Sequence, residues 1–115
     1  MRDNIKGGAL TETTFFVLLS VYQPNHGYGI MQFIEAQTKG RLLLGAGTLY
    51  GAINTLLKKG WIAPYGAQQN QTKKEYLITE EGRQIAEVEL SRLEELYHTA
   101  SKIMKGGACD EQKGV

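Results

Sequence analysis

The sequence predicts a mainly α-helical chain with one small β-hairpin and a long closing helix, and three observations predict it. Before residue 60, apolar side chains recur at helical spacing in three short segments. Between residues 61 and 78 the pattern switches to short aromatic and β-branched runs. After Thr79 a single helical pattern continues to about Met104. At 115 residues the chain has the length of one domain with a modest core.

The first helix is expected in "LTETTFFVLLSVYQ", where Thr11 is placed as an N-cap and Glu12 suits the positive end of the helix dipole. Phe15, Leu18, Leu19 and Tyr22 share one face, and Pro24 with Asn25 breaks the helix. The second, "HGYGIMQFIEAQTKG", directs Tyr28, Met31, Ile34 and Phe33 inward and closes near Gly40. The third, "LLLGAGTLYGAINTLLKKGW", reads as helix from Leu42 to Lys59, held inward by Leu49, Ile53, Leu56 and Leu57 and stopped at Gly60. It contains glycines at 45, 47 and 51, which lower helix propensity and so ask for another reason. "WIAPY" and "KKEYLI" form the hairpin, with the polar "GAQQNQT" at its tip and Trp61 directed to the core. Thr79 caps the last helix, and "KGGACDEQKGV" is a frayed tail.

Several function classes are excluded. No run of eighteen apolar residues crosses a membrane, and the N-terminus lacks the pattern of a secretory signal. The lone Cys109 has no internal partner, which fits a cytoplasmic protein. His26 and His98 are far apart, with no cysteine or carboxylate cluster beside either, so no metal site is expected. "GAGTLYG" approaches a dinucleotide loop, yet only a short leucine run precedes it and no acid follows until Glu75. Neither a Ser/His/Asp arrangement nor a carboxylate pair supports an enzyme, and no cofactor is implied.

The net charge is only +1, but it is unevenly divided. Residues 36–74 hold Lys39, Arg41, Lys58, Lys59, Lys73 and Lys74 and no acid, hence +6. Residues 75–104 hold seven glutamates against Arg83, Arg92 and Lys102, hence −4. A basic face for a polyanion beside an acidic element follows, with ordinary solubilising charge as the alternative.

Three short helices followed by a hairpin is the order of a winged helix-turn-helix, whose third helix reads DNA and whose hairpin tip is the wing. Residues 1–78 would form the winged domain, 79–105 a dimerisation helix, and 106–115 a flexible tail. A reading helix lies deep in a groove and favours small or hydrogen-bonding residues outward; Gly47, Gly51, Thr48 and Asn54 supply them. Thr48 either caps the helix start or also meets a phosphate there. Tyr50 either contacts a phosphate or the groove, or packs inward. Asn54 suits a two-pronged contact to adenine, or is simply solvated. Lys58 and Lys59 suit the negative end of the helix with or without DNA. Of Lys73 and Lys74, one is expected at phosphate and the other in solvent. His26 is read as structural or capping, with phosphate contact as the alternative.

A twenty-five-residue helix is about 38 Å long, more than a body of this size covers, whose diameter is roughly 30 Å. Leu90, Leu93, Leu96, Tyr97, Ala100, Ile103 and Met104 nevertheless line it. A second copy packed on that stripe makes a homodimer and presents two reading helices to two half-sites; folding back on the first helix is the alternative. Phe15, Phe16 and Leu19 facing Leu93, Leu96, Tyr97 and Ala100 would form the dimer interface or a pocket for a small apolar or aromatic effector. Ordinary packing accounts for the same residues.

"HGYGIMQFIE", "GAGTLYGAINTLLKKGWI" and "KKEYLITEEGR" resemble, in order, the phenolic-acid-decarboxylase regulator (PadR) family of bacterial repressors. The single C-terminal helix is similar to the short subgroup, whose members answer to multidrug-like planar ligands. The resemblance implies a dimeric winged-helix repressor that binds a promoter palindrome in double-stranded DNA and releases it when a small molecule binds or conditions change. It puts Thr48, Tyr50 and Asn54 on the reading helix and Lys73 and Lys74 on the wing. Two features depart from the family: the wing "QNQTKKE" is poorer in arginine, and Leu93 stands where an aromatic can sandwich the ligand. The rivals are a winged-helix protein–protein module without DNA binding and a small-molecule carrier.

Overall fold

The computed structural model describes residues 8–66 and 74–106. Helix α1 (Glu12–Leu19) leads into a two-residue strand β1 (Asn25–His26), then α2 (Gly27–Gln37) and α3 (Ala46–Lys59). Strands β2 (Ile62–Tyr65) and β3 (Glu75–Ile78) precede the long α4 (Glu80–Met104). The three strands form one antiparallel sheet in the order β1-β3-β2, with Ile62 opposite Ile78 and Asn25 opposite Tyr76. This is a winged helix with a long C-terminal helix. The wing tip, with Lys73, and nearly all of the expected tail lie outside the described residues.

The core is Val17, Leu18 and Val21, Ile30 and Ile34, Leu49, Ile53 and Leu56, closed by Ile62, Tyr76, Ile78 and Ala86. The expected α3 face is therefore correct, and the other two hold in part. In α1, Leu18 is buried and Phe15 and Tyr22 pack on the core as expected, but Val17 is buried as well and Leu19 is half-buried. In α2, Ile34 is buried and Met31 and Phe33 pack on the core as expected, whereas Ile30 takes the inward place given to Tyr28, which is 63% exposed. Periodicity alone did not choose between these neighbours.

The third helix begins at Ala46 rather than Leu42. Leu42 and Leu44 pack on the core from the preceding turn, which Thr38 organises: its hydroxyl donates to the Ile34 carbonyl and accepts from the Leu42 amide at 3.1 Å. Strand β1 was not expected. Asn25, read as a helix breaker, holds it in place: its amide donates to the Ser20 carbonyl at 3.1 Å and its oxygen accepts from the His26 amide at 2.9 Å.

Both expected caps are made. The Thr11 hydroxyl accepts from the Thr14 amide at 3.1 Å, and the Thr79 hydroxyl accepts from the Gly82 amide at 3.0 Å. Thr79 also donates to the Gly60 carbonyl at 2.7 Å, while its amide reaches the Trp61 carbonyl at 2.9 Å. Gly60 takes the left-handed conformation expected of a C-terminal stop, with φ 77°. The end of α3, both strands and the start of α4 therefore share one joint. Gly82 is required there: a β-carbon on it would stand 2.1 Å from the Trp61 carbonyl oxygen and 2.8 Å from an Ile78 side-chain carbon.

Along α4 only Gly82, Ala86 and Glu89 are buried. Leu90, Leu96, Tyr97, Ile103 and Met104 are exposed, so the overhang expected from length is real, and the described chain extends 64 × 30 × 22 Å. The helix does meet α1, but only through its first half. Glu89 is a buried carboxylate, 4% exposed. Its Oε1 accepts from the Leu10 amide at 3.3 Å and from Arg92 Nε at 3.1 Å, and its Oε2 accepts from the second Arg92 nitrogen at 2.6 Å. The Arg92 hydrogen bonds hold this carboxyl below its ordinary value, burial opposes them, and the Leu10 amide adds to the lowering.

Two outcomes follow from this packing. Gly82→Ala sets carbon against backbone oxygen and is expected to cost ~3 kcal/mol or more, read as a fall in the urea midpoint. A carboxyl lowered in the folded state gives stability present above its unfolded pKa of about 4.3 and lost as pH falls through the folded value. Urea titrations from pH 7 to pH 3 should show that loss in the native chain and a smaller one in Glu89→Gln; equal slopes would remove Glu89 from acid denaturation.

Candidate nucleic-acid interface

The outer surface of α3 is nearly bare. Gly47, Thr48, Tyr50, Gly51 and Asn54 are all exposed. A β-carbon added at Gly45, Gly47 or Gly51 would meet nothing within 4 Å. Among the described residues no packing therefore asks for these glycines, although each lowers the propensity of the segment it occupies or begins.

Thr48 is not the cap of α3. That position is Gly45, which has no side chain to offer, and Thr48 lies within the first turn with its side chain outward. Tyr50 is 46% exposed, and its phenol lies over the first turn of α2: a β-carbon on Gly27 would stand 2.2 Å from the hydroxyl oxygen. One edge of Tyr50 is thus packed and the other is open. Burial first, and then the neighbouring Tyr50 phenol, push the Tyr76 hydroxyl above its ordinary value. Asn54 is fully outward.

The cations are less uniform than their count implied. Lys58 is exposed, whereas the Lys59 ammonium sits 5.2 Å above the Trp61 ring. Arg41 forms a two-pronged ion pair with Glu12, one arm at 3.2 Å, which lowers the Glu12 carboxyl through that hydrogen bond and keeps Arg41 charged. Part of the +6 segment is thereby neutralised by a residue from α1, a pairing hidden by 29 residues of separation. Lys74 is half-buried at the entry to β3. His26 stands at the N-cap of α2 without a side-chain capping bond, and its backbone lies opposite Glu75 in the β1–β3 pair.

The residues expected around an effector are not gathered within one chain. Phe15 and Phe16 pack against the core, and Leu19, Leu93 and Ala100 are half-buried. Leu96 and Tyr97 are exposed at 54% and 67%. None of the seven lines the cavity of about 430 Å³ between the Gly8–Thr11 segment, Thr55, Trp61 and the α4 residues Ile85, Val88 and Glu89. Sequence reading missed that cavity and Glu89 alike, since a glutamate on an acidic helix gives no sign of burial. Among the described residues no group of three His, Cys, Asp or Glu could hold a metal, and no helix is long and apolar enough to cross a membrane.

Comparison with known proteins agrees with this architecture. A transcriptional regulator from Clostridium thermocellum is 28% identical over 90% of this chain and 96% of its own, with a TM-score of 0.63. A protein from Streptococcus mutans is 26% identical, covering 82% of this chain and 87% of its own, also at 0.63. A PadR family regulator from Eggerthella lenta, 21% identical across 79% of this chain and 80% of its own, shares the fold at 0.69. No curated protein matches significantly. The model of the transcriptional regulator PadR-like family matches residues 16–88. With that match over most of its length, the chain belongs to the PadR-like family of transcriptional regulators.

Proposed function

We propose that this regulator is a cytoplasmic homodimer that binds a twofold operator in double-stranded DNA and represses transcription until a small apolar or aromatic effector releases it. One observation carries the DNA reading: α3 turns outward a surface with glycines at 47 and 51 that no neighbour among the described residues requires. Such a surface lets a helix approach base edges closely. Asn54 would meet a base edge, with Thr48 and the open edge of Tyr50 at phosphates. Lys58 and the wing lysines, Lys74 and Lys73, would add sequence-independent attraction.

Self-association rests on α4. Gly82, Ala86 and Glu89 define its buried face, and Leu93, Leu96, Ala100 and Ile103 continue it at helical spacing along the overhang. Each large apolar residue covered there contributes roughly 1.5–3 kcal/mol. The winged body to residue 78 would then be the reading unit, and the helix over 79–105 the rod that sets its distance from a second copy. An effector lodged between Phe15, Phe16 and Leu19 and the rod residues Leu93, Leu96, Tyr97 and Ala100 would favour one rod arrangement over another.

Gly51→Ala separates fold from function. It should raise stability by ~0.5–1 kcal/mol, since the added methyl meets open space. Fluorescence anisotropy on the DNA upstream of the gene should show weaker binding for the same variant. Unweakened binding, or no selective binding by the native chain, would leave the protein–protein module as the reading. Leu96→Glu should leave the helical circular dichroism intact because Leu96 is exposed, yet shift sedimentation from dimer to monomer and weaken DNA binding. A native chain that sediments as a stable monomer would end the dimer reading.

A further inference from the structure

We infer that Glu89 is the positioning residue that fixes the angle at which α4 leaves the winged body, and through it the half-site spacing the dimer accepts. The second clause rests on the dimeric DNA-binding reading; the first does not.

Glu89 is the last buried residue along α4, and fifteen residues of helix follow it. A small rotation at this point is amplified along the rod. Packing alone leaves that rotation loosely set, because the cavity of about 430 Å³ opens beside Glu89 between the N-terminal segment, the end of α3 and α4. The joint at Gly82 fixes where the rod starts, nearly two turns earlier, and a start point does not fix a direction. Glu89 supplies the second point: its Oε1 takes the Leu10 amide at 3.3 Å across 79 residues, and Arg92 grips both oxygens from the next turn of the same helix.

A buried carboxylate is a poor source of stability, because its desolvation offsets its pairing; an apolar side chain of similar size often does as well. What an apolar side chain lacks is direction. Hydrogen bonds to one backbone amide hold α4 at one angle to the segment that leads into α1, and pairs of this kind are best attested as register devices. Glu89 thus orients the rod without touching DNA.

The test uses the full chain with Cys109→Ser and spin labels at Gln37→Cys, at the end of α2, and Lys102→Cys, near the end of α4, diluted with unlabelled protein so that intrachain distances dominate. The native carboxylate should give a narrow distance distribution. Glu89→Met, of similar length, should keep the melting temperature and the dimer while broadening or shifting that distribution; Glu89→Gln, whose oxygen can still accept from Leu10, should restore part of it. Should Glu89→Met fail to fold, Arg92→Met takes its place: it should lower the melting temperature, because it leaves the buried carboxylate without its ion-pair partner, and broaden or shift the same distribution. Operators whose half-sites are moved apart by single base pairs should then be discriminated about five-fold less by Glu89→Met than by the native dimer. An unchanged distance distribution in a folded variant overturns the inference whether or not DNA binds. A changed distribution with unchanged spacing preference overturns its functional clause, whereas a native chain that binds no DNA removes the regulator reading and leaves the distance result to stand.

Discussion

The carbonyl of Trp61 lies against the Cα of Gly82, so close that a β-carbon there would stand 2.1 Å from the oxygen, and the same carbonyl accepts from the Thr79 amide. Around this contact Gly60 ends α3 in the left-handed conformation and Thr79 begins α4, with its hydroxyl joined to both glycines. The exposed helix, the hairpin and the rod are thus held to a common backbone node. Hydrogen bonds of this kind are directional and short-ranged, so the relative placement of these three elements is fixed more tightly than burial of apolar surface alone would fix it.

What departs from that node differs in how well it is satisfied. The body side is closed: Leu49, Ile53 and Leu56 bind α3 to α1 and α2, and Tyr50 seals its edge against Gly27. The rod side is open: beyond Glu89 nothing in α4 is buried, although its apolar stripe continues. The helix thus keeps one apolar face through its packed and unpacked halves. The bare face of α3 is a second unfinished surface, polar and light where the rod is apolar.

Electrostatics sharpened on folding. Arg41 belongs to the acid-free stretch of the sequence, yet Glu12 pairs with it, whereas Lys59 keeps its charge and an exposed position over the Trp61 ring. The attraction left for a polyanion is therefore more local than a charge count suggests. Exposed pairs such as Arg41–Glu12 add little stability. This one ties the start of α1 to the turn before α3, a connection with more bearing on orientation than on energy.

Local chemistry was legible in the sequence wherever it is decided within a turn or two of chain. Thr11 and Thr79 as caps, Gly60 as a stop, the inward face of α3 and the twenty-five-residue last helix all depend on neighbours three or four residues away, and the hairpin strands on a change of period within each short run. The glycines of α3 were conspicuous for the same reason: they contradict the propensity of their own segment. Tertiary structure decided what depends on distant partners. Which faces of α1 and α2 turn inward depends on neighbouring helices, while the pairing of Asn25 and His26 with β3, the burial of Glu89 beneath Leu10 and the loss of Arg41 to Glu12 join residues more than twenty-five positions apart. No periodicity records such a meeting, because a side chain's environment is set by what the folded chain brings to it.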